Sequence, residues 1–321
     1  MADYKTIHGT LVRTYTTDPD NPIEGQVWYD STANTLQYQI PNKNAAGSWR
    51  TGNDMNTARN YLAGAAADST AALASGGSPN SALTESYNGT SWTEVGDLNT
   101  GRDILTGSGV STSALDWGAE PAVAITESWN GSSWTEVGDL NTARYGSGGA
   151  GVSNTSALAF GGNPISGLTE TWNGSSWTEV GDLNATRDFL GGAGTATSAL
   201  AFGGEPPNAV TETWNGSSWT EVGDLNTGRA GVFSAGESST SALASGGASP
   251  VVANTELWNG SSWTETTDLN TTRYIGATSN TGTASSAINF GGLIPPGSNS
   301  GATEEWAGAL TLDVGAWASG G

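Results

Sequence analysis

The sequence contains no cysteine and only one histidine, His8. Without cysteine there are no disulfides, thiolate nucleophiles or cysteine-bearing zinc sites, and one histidine provides no set of imidazole ligands. Basic residues are also scarce, with 10 Lys and Arg against 31 Asp and Glu, a net charge of −21. Because a nucleic-acid-binding protein needs a basic surface to displace counterions from phosphate, we expect no nucleic-acid partner. We likewise expect no metal and no cofactor.

Long apolar segments are missing as well. No run of 18 or more apolar residues occurs, so we expect no insertion into a membrane. The first residues, MADYKTIHGT, lack the apolar core of a secretory signal. Glycine is abundant instead, at 47 of 321 residues, and there are 14 tryptophans. Such a composition is typical neither of a disordered acidic chain nor of a helical domain.

A repeat of 42 to 44 residues dominates the chain. The tryptophan of the motif SWTEVGD, or of a variant of it, occurs six times, and an arginine follows ten residues after each. A second aromatic residue recurs in every unit, and a glycine pair in all but the second, which has Gly118-Ala119. The tryptophans are Trp49, Trp92, Trp134, Trp177, Trp219 and Trp263, and the arginines are Arg59, Arg102, Arg144, Arg187, Arg229 and Arg273.

Each unit predicts four short strands. A run of small residues follows the arginine, then an apolar run such as TSALAFGG, then the alternating segments LTETWNG and SSWTEVGDL. An Asn-Gly pair separates the last two segments in five units, which predicts hairpins with type I′ turns. Six units of four strands predict an all-β fold, a six-bladed β-propeller.

The order of glycine pair, aromatic, tryptophan and arginine resembles the kelch repeat over about residues 48–306. The resemblance implies a kelch-type propeller and no particular activity. We expect the repeated tryptophans to pack between blades, and the glycine pairs to let the backbone approach closely near the axis. We expect the arginines to form ion pairs between blades, with Glu94 and Asp97 near Arg102 as an example. The alternative is a ring of arginines that binds an anion.

The units are offset from the ends of the chain. Residues 48–56 match only the outer strand of a unit, whereas residues 273–307 supply three strands and no outer strand. We therefore predict that the N-terminal strand completes the sixth blade, so that residues 48–306 form the propeller. A competing outer strand lies in the tail 307–321, where Trp317 aligns with Trp49. Which of the two strands closes the ring stays open at this point.

Residues 1–47 lie outside the repeat. The segments GQVWYD and TLQYQI predict two strands around the turn STAN, and thus a small β module that serves for attachment or as a cap. The stretch DPDNPIEGQVWYDSTANTLQYQ, followed by the repeats, resembles virion structural proteins of marine tailed phages. That resemblance implies a fibre, tail-associated or capsid-surface protein. It would be made in the host cytoplasm, be present in several copies per virion, and contact other virion proteins through residues 1–47.

No enzymatic site stands out. The acids and arginines repeat in all six units, whereas a single active site would break that repetition. A sialidase would need a unique arginine cluster, and a kelch-like copper oxidase would need cysteine and histidine ligands. We therefore expect no enzyme. The alternatives are a lectin whose tryptophans stack on sugars and a purely structural decoration protein.

The loops between the second and third strands vary from unit to unit. In a propeller they open on one face, where recognition of a host-surface glycan or protein, or of a neighbouring subunit, would occur. The longest, at residues 293–302, is the strongest candidate for a contact. The candidate binding residues are Pro121, Pro164, Pro206, Pro250, Pro295 and Pro296.

Overall fold

A computed structural model describes residues 13–15, 27–32, 35–38, 47–206, 208–278 and 282–308. The chain divides into two compact units, of which the larger is Ala46–Gly308. The described residues form 29 β-strands and no helix. The prediction of an all-β fold is therefore confirmed.

The smaller unit contains a three-stranded sheet. Strand β1 (Arg13–Tyr15) runs parallel to β2 (Val27–Asp30), which is antiparallel to β3 (Thr35–Tyr38). The pair of β2 and β3 is the one that the sequence predicts around the turn that begins at Ser31.

The larger unit consists of six four-stranded antiparallel blades, so the predicted propeller is confirmed. Strand β4 (Ser48–Thr51) precedes blade 1, which contains β5 (Ala63–Asp68), β6 (Ala71–Ser75), β7 (Thr84–Tyr87) and β8 (Trp92–Glu94). Blade 2 contains β9 (Thr106–Val110), β10 (Ser113–Trp117), β11 (Thr126–Trp129) and β12 (Trp134–Glu136). Blade 3 contains β13 (Gly148–Ser153), β14 (Ser156–Phe160), β15 (Thr169–Trp172) and β16 (Trp177–Glu179).

The remaining blades follow the same order. Blade 4 contains β17 (Gly191–Thr195), β18 (Ser198–Phe202), β19 (Thr211–Trp214) and β20 (Trp219–Glu221). Blade 5 contains β21 (Phe233–Ser238), β22 (Ser241–Ser245), β23 (Thr255–Trp258) and β24 (Trp263–Glu265). Blade 6 contains β25 (Ala277–Thr278), β26 (Ser286–Phe290) and β29 (Thr303–Ala307), and a short hairpin of β27 (Leu293–Ile294) and β28 (Ser298–Asn299) interrupts it.

The N-terminal strand supplies the fourth strand of blade 6. Strand β4 pairs antiparallel with β29, which places Trp49 opposite Trp306. The two rings contact each other with centroids 5.3 Å apart. The ring of blades is therefore closed by a strand from the beginning of the repeat region. The competing strand around Trp317 lies outside the described residues.

The blades pack against one another through six apolar clusters, each built from two neighbouring blades. The outer-strand tryptophan of each blade points into its cluster and donates a hydrogen bond to a threonine of the preceding blade. Trp134 Nε1, for example, lies 3.0 Å from Thr84 Oγ1. The other five pairs are Trp49–Thr255, Trp92–Thr303, Trp177–Thr126, Trp219–Thr169 and Trp263–Thr211. The tryptophans thus hold adjacent blades together.

The glycines that allow close approach at the axis are not the glycine pairs. The innermost strands of the first four blades have instead a single glycine five residues after the repeated arginine, where the last two blades have Ser234 and Thr278. A Cβ at Gly192 would lie 2.4 Å from the carbonyl oxygen of Gly149 in the neighbouring blade. The glycine pairs end the second strands, where both residues have positive φ, as at Gly161 (+65°) and Gly162 (+108°). They make room there for the segment that carries the arginine.

The hairpins between third and fourth strands exist, but the prediction of type I′ turns is wrong. Four residues separate the paired Tyr87 and Trp92. Only Gly89 has positive φ there, at +86°. The side-chain oxygen of Asn88 accepts hydrogen bonds from the backbone of Thr90 and Ser91, both at 2.9 Å. An Asx turn, in which the asparagine side chain replaces a backbone acceptor, therefore closes the hairpin.

Candidate functional site

The repeated arginines all form structural ion pairs within the propeller. Each lies on the connector between two blades and forms an ion pair with the glutamate of the third strand in the blade that follows. Arg144, for example, pairs with Glu170, and both side chains are about 1% exposed. The predicted partners of Arg102 are wrong, because it pairs with Glu127 rather than with Glu94 or Asp97. The same arrangement joins Arg59–Glu85, Arg187–Glu212, Arg229–Glu256 and Arg273–Glu304.

The glutamates also bind the connectors themselves. Glu170 accepts hydrogen bonds from the backbone N–H of Asn141 at 2.7 Å and from that of Thr142 at 3.3 Å. Burial lowers the pKa of Arg144, although the nearby Glu170 carboxylate opposes the shift. Each arginine is therefore shielded from solvent and already paired. A ring of free arginines that could bind an anion does not form.

The connectors and the loops between second and third strands lie together on one face of the propeller, which we call the loop face. Single β-bridges join five of the six connectors to neighbouring loops, as between Tyr145 and Asn163 and between Asp188 and Glu205. The first connector is joined by a hydrogen bond from Ser78 N–H to the carbonyl oxygen of Asn60 at 2.8 Å. The loop face is thus a continuous surface in which each loop is supported by an inter-blade segment.

All six predicted prolines are exposed on this face. Two of the three exposed large apolar side chains among the described residues follow them directly, namely Ile165 at 54% exposure and Val251 at 41%. The longest loop folds into the hairpin of β27 and β28. The predicted prolines therefore lie on the loops of five different blades.

A ring of backbone hydrogen bonds surrounds the axis at the centre of the loop face. Its members are the residues two positions after each arginine, and each N–H donates to the carbonyl of its counterpart in the preceding blade. The donor–acceptor pairs are Tyr61–Ile275 (2.9 Å), Ile104–Tyr61 (2.9 Å), Gly146–Ile104 (3.2 Å), Phe189–Gly146 (2.7 Å), Gly231–Phe189 (2.8 Å) and Ile275–Gly231 (3.1 Å). The ring closes on itself and ties all six connectors together.

All six ring residues have left-handed backbone conformations, with φ between +50° and +58°. This conformation is unfavourable for bulky side chains, and most of all for the β-branched Ile104 and Ile275. The two glycines of the ring give room to their neighbours, since a Cβ at Gly146 would lie 3.3 Å from the Phe189 ring. The ring therefore holds four large side chains over the axis at the expense of backbone strain.

Aromatic side chains gather around this centre. The ring centroids of Tyr61 and Phe189, which belong to opposite blades, are 6.2 Å apart, and those of Tyr145 and Phe189 are 6.4 Å apart. All three side chains are half-buried. A cavity of about 100 Å³ is lined by Tyr61 and Phe189 together with other residues of the backbone ring, among them Ile104 and Ile275. We call Tyr61, Tyr145 and Phe189 the axial aromatic cluster.

Carboxylates surround the cluster. Burial raises the pKa of Tyr61, with further contributions from Tyr274, Glu120 and Asp103. Burial likewise raises the pKa of Tyr145, with contributions from Glu120 and Asp188. The geometry agrees, because Asp103 forms a β-bridge with Glu120, and Asn163, the bridge partner of Tyr145, donates a hydrogen bond to Asp188.

Asp188 is buried beside the cluster, with 3% exposure. Its Oδ2 accepts a hydrogen bond from Asn163 Nδ2 at 2.8 Å, whereas its Oδ1 has no hydrogen-bond partner among the described residues. None of the seven ion pairs among those residues involves Asp103, Glu120, Asp188 or Glu205. The centre of the loop face therefore carries unbalanced negative charge next to aromatic rings.

The sequence did not point to these central residues. The only signal was that the two positions after the repeated arginine differ from unit to unit, from Asn60-Tyr61 to Asp188-Phe189. Their convergence depends on the ring, because they lie on six separate connectors. Among the described residues no group of three or more His, Asp or Glu side chains could hold a metal ion, and no helix could span a membrane.

Comparisons with known proteins indicate the fold alone. No family model and no curated protein matches the chain. Among solved structures, one described as "Structure of YjhT" matches with a TM-score of 0.64 and 14% identity, over 78% of this chain and 96% of that one. At this identity the similarity extends to the propeller fold and conveys no activity.

Proposed function

We propose that this protein is a non-enzymatic phage virion component, and that its repeat is of the kelch type. It would be a fibre, tail-associated or capsid-surface protein, attached through residues 1–47 and presenting the loop face to a host surface or to a neighbouring subunit. The proposal rests on the resemblance of the N-terminal segment, and on the contrast in the blades between repeated structural residues and variable loop residues.

One observation supports the binding role above all. The residues that repeat are used for packing and ion pairing between blades, whereas the residues that vary meet on the loop face. Variable side chains on a rigid scaffold are the usual arrangement of a recognition surface. The exposed Ile165 and Val251 next to Pro164 and Pro250 add apolar area to that surface. Several copies per particle would strengthen weak individual contacts.

A lectin is the second candidate, in a modified form. The six repeated tryptophans are only 5–6% exposed, so they cannot stack on a sugar. Tyr61 and Tyr145 are half-buried and lie beside carboxylates, and aromatic rings with nearby hydrogen-bonding groups also suit a glycan. A lectin would therefore use the axial aromatic cluster in place of the tryptophans.

Immunogold electron microscopy tests the virion role. Antibodies against the full chain should label intact particles of the phage that encodes it, and particles without label would contradict the proposal. Antibodies selected against the loop-face segment 293–302 should then block adsorption to cells, while antibodies against the hairpin turns of the outer strands serve as the matched control. Labelling without any block of adsorption would favour the purely structural decoration protein.

A further inference from the structure

We propose that the centre of the loop face binds a basic side chain, lysine or arginine, of the partner protein that this face contacts. The inference rests on the proposed binding function and names its chemistry. The juxtaposition that carries it is the axial aromatic cluster, the cavity beside it and the unpaired carboxylates around it.

The aromatic rings provide the first element of the site. The faces of phenol and phenyl rings attract cations, and the attraction grows when the cation is partly removed from water. Tyr61, Tyr145 and Phe189 approach one another with centroids 6.2–6.4 Å apart and are half-buried. The closed ring of backbone hydrogen bonds holds Tyr61 and Phe189 in place, so little conformational entropy is lost on binding.

Charge provides the second element. Between residues 47 and 308 the sequence has only seven basic residues, Arg50 and the six repeated arginines. All seven pair with glutamates. No basic side chain of the propeller is therefore left to neutralise Asp103, Glu120 and Asp188. A cation from outside would meet a complementary field at this point.

The buried carboxylate of Asp188 provides the third element. A polar atom that is removed from water without a partner lowers stability, and a charged one does so most strongly. Asp188 Oδ1 is such an atom, 3% exposed as a residue and close enough to Tyr145 to raise the pKa of that phenol. Its charge therefore stays uncompensated beside the aromatic cluster, where it would attract an ammonium or guanidinium group, which has donors but no acceptors.

The size of the cavity limits the occupant. About 100 Å³ admits the end of a single side chain and not a folded segment. An acidic group is disfavoured by the carboxylates. A neutral apolar group would fill the space but would gain nothing from the charge of the surrounding carboxylates.

Titration of the full chain with three small probes tests the site. Nα-acetyl-lysine methylamide and Nα-acetyl-arginine methylamide carry the cation, and Nα-acetyl-norleucine methylamide has a similar alkyl chain without charge. NMR should show saturable shifts of the Tyr61, Tyr145 and Phe189 ring signals with at least one cationic probe, bound about tenfold or more tighter than the neutral one. Equal binding of the neutral probe, or no shift with any probe at millimolar concentration, would overturn the inference.

Matched variants locate the binding. Glu120→Gln and Tyr145→Leu should each weaken binding of the cationic probe several-fold, whereas Tyr145→Phe, which keeps the ring, should bind as the native protein does. Glu136→Gln removes the same charge from an exposed position of the same blade and should change nothing. Unaltered binding in both Glu120→Gln and Tyr145→Leu would place the cation elsewhere and contradict the inference.

The two proposals fail in different ways. If Glu120→Gln and Tyr145→Leu leave the probes unbound and adsorption unimpaired, while antibodies against residues 293–302 still block adsorption, the binding role stands, and the inference that this site receives the partner's basic side chain is wrong. If particles carry no label at all, the virion role is wrong whatever the probes do. A neutral glycan that shifts the same ring signals when the cationic probes do not would support the lectin instead.

Discussion

The six buried Arg–Glu pairs have the same structural role at every junction between blades. Glu170 accepts hydrogen bonds from Arg144, from two backbone amides of the connector before it and from the side chain of Asn141, so a single carboxylate satisfies four donors. An ion pair of this kind adds little net stability over an apolar pair, but the loss of one partner leaves the other charge buried. The repetition therefore reflects geometry at each blade junction.

Glu170→Gln should lower the free energy of unfolding by about 3 kcal/mol, because Arg144 keeps its charge and loses its counterion. Urea denaturation followed by tryptophan fluorescence measures the change. Glu179→Gln, an exposed glutamate on the outer strand of the same blade, is the control and should shift stability by less than about 0.5 kcal/mol. Equal effects of the two substitutions would refute the structural role of the pair.

Asp116 is an exception among the repeated positions. It is 1% exposed and hydrogen-bonds Ser75 of blade 1, where the second strands of four other blades carry alanine. Burial raises its pKa from 3.8 to about 7, which the Ser75 hydrogen bond and Arg102 oppose and Glu127 reinforces. Blade 6 has Asn289 at the equivalent position, and its Nδ2 donates to Ser245 Oγ at 2.7 Å.

Asp116→Asn should therefore make stability less dependent on pH. As pH rises from 3.8 to about 7, the folded protein keeps a proton that the unfolded chain has lost, so this group lowers stability progressively and has no further effect above that range. The shift in the pKa of Asp116 lowers the free energy of unfolding by roughly 4 kcal/mol at most. The variant should match the native protein near the acidic limit and exceed it at pH 8. Parallel stability curves from urea titrations across this range would contradict the assignment.

At the scale of elements, ring closure depends on one short strand. Strand β4 contributes Trp49, which pairs with Trp306 and donates a hydrogen bond to Thr255 of blade 5 at 3.0 Å. Without β4, the edge of β29 would lie open and the contact between blades 5 and 6 would lose its tryptophan. An open strand edge also favours aggregation.

Two truncations separate the closing strand from the N-terminal unit. Removal of residues 1–45 leaves β4 intact and should keep the melting temperature of the propeller. Removal of residues 1–52 should lower the melting temperature by about 10 °C or more, since the loss of one buried tryptophan alone costs about 3–5 kcal/mol. Differential scanning calorimetry compares the two. Similar melting temperatures would show that another segment completes blade 6.

At the scale of the whole molecule, acidic residues far outnumber basic residues, and most carboxylates among the described residues have no basic partner. The net charge is −21, and within residues 47–308 every basic residue is already paired. The remaining carboxylates repel one another across the surface, which favours solubility and opposes compactness. The same excess underlies the cationic partner proposed for the loop face.

Added salt should therefore stabilise the protein. Sodium chloride raised from about 10 mM to about 150 mM shortens the screening distance from roughly 30 Å to 8 Å and weakens this repulsion. We expect the melting temperature at pH 7 to rise by a few degrees, and to rise less in a variant with Glu136, Glu179 and Glu221 changed to glutamine. A melting temperature that falls with salt would show that attractive surface pairs dominate instead.

The sequence by itself determined the scaffold. A fixed period, period-two strands and recurring aromatic and arginine residues predicted six blades of four strands, the burial of the tryptophans and the missing outer strand that β4 supplies. These features follow from local pattern and from the need to close every sheet edge. Only the tertiary structure decided which acid each arginine meets, how the hairpins turn and which residues reach the axis. Arg102 meets Glu127 of the next blade, and Tyr61 meets Phe189 of the opposite one, because distances across a closed ring depend on all six blades at once.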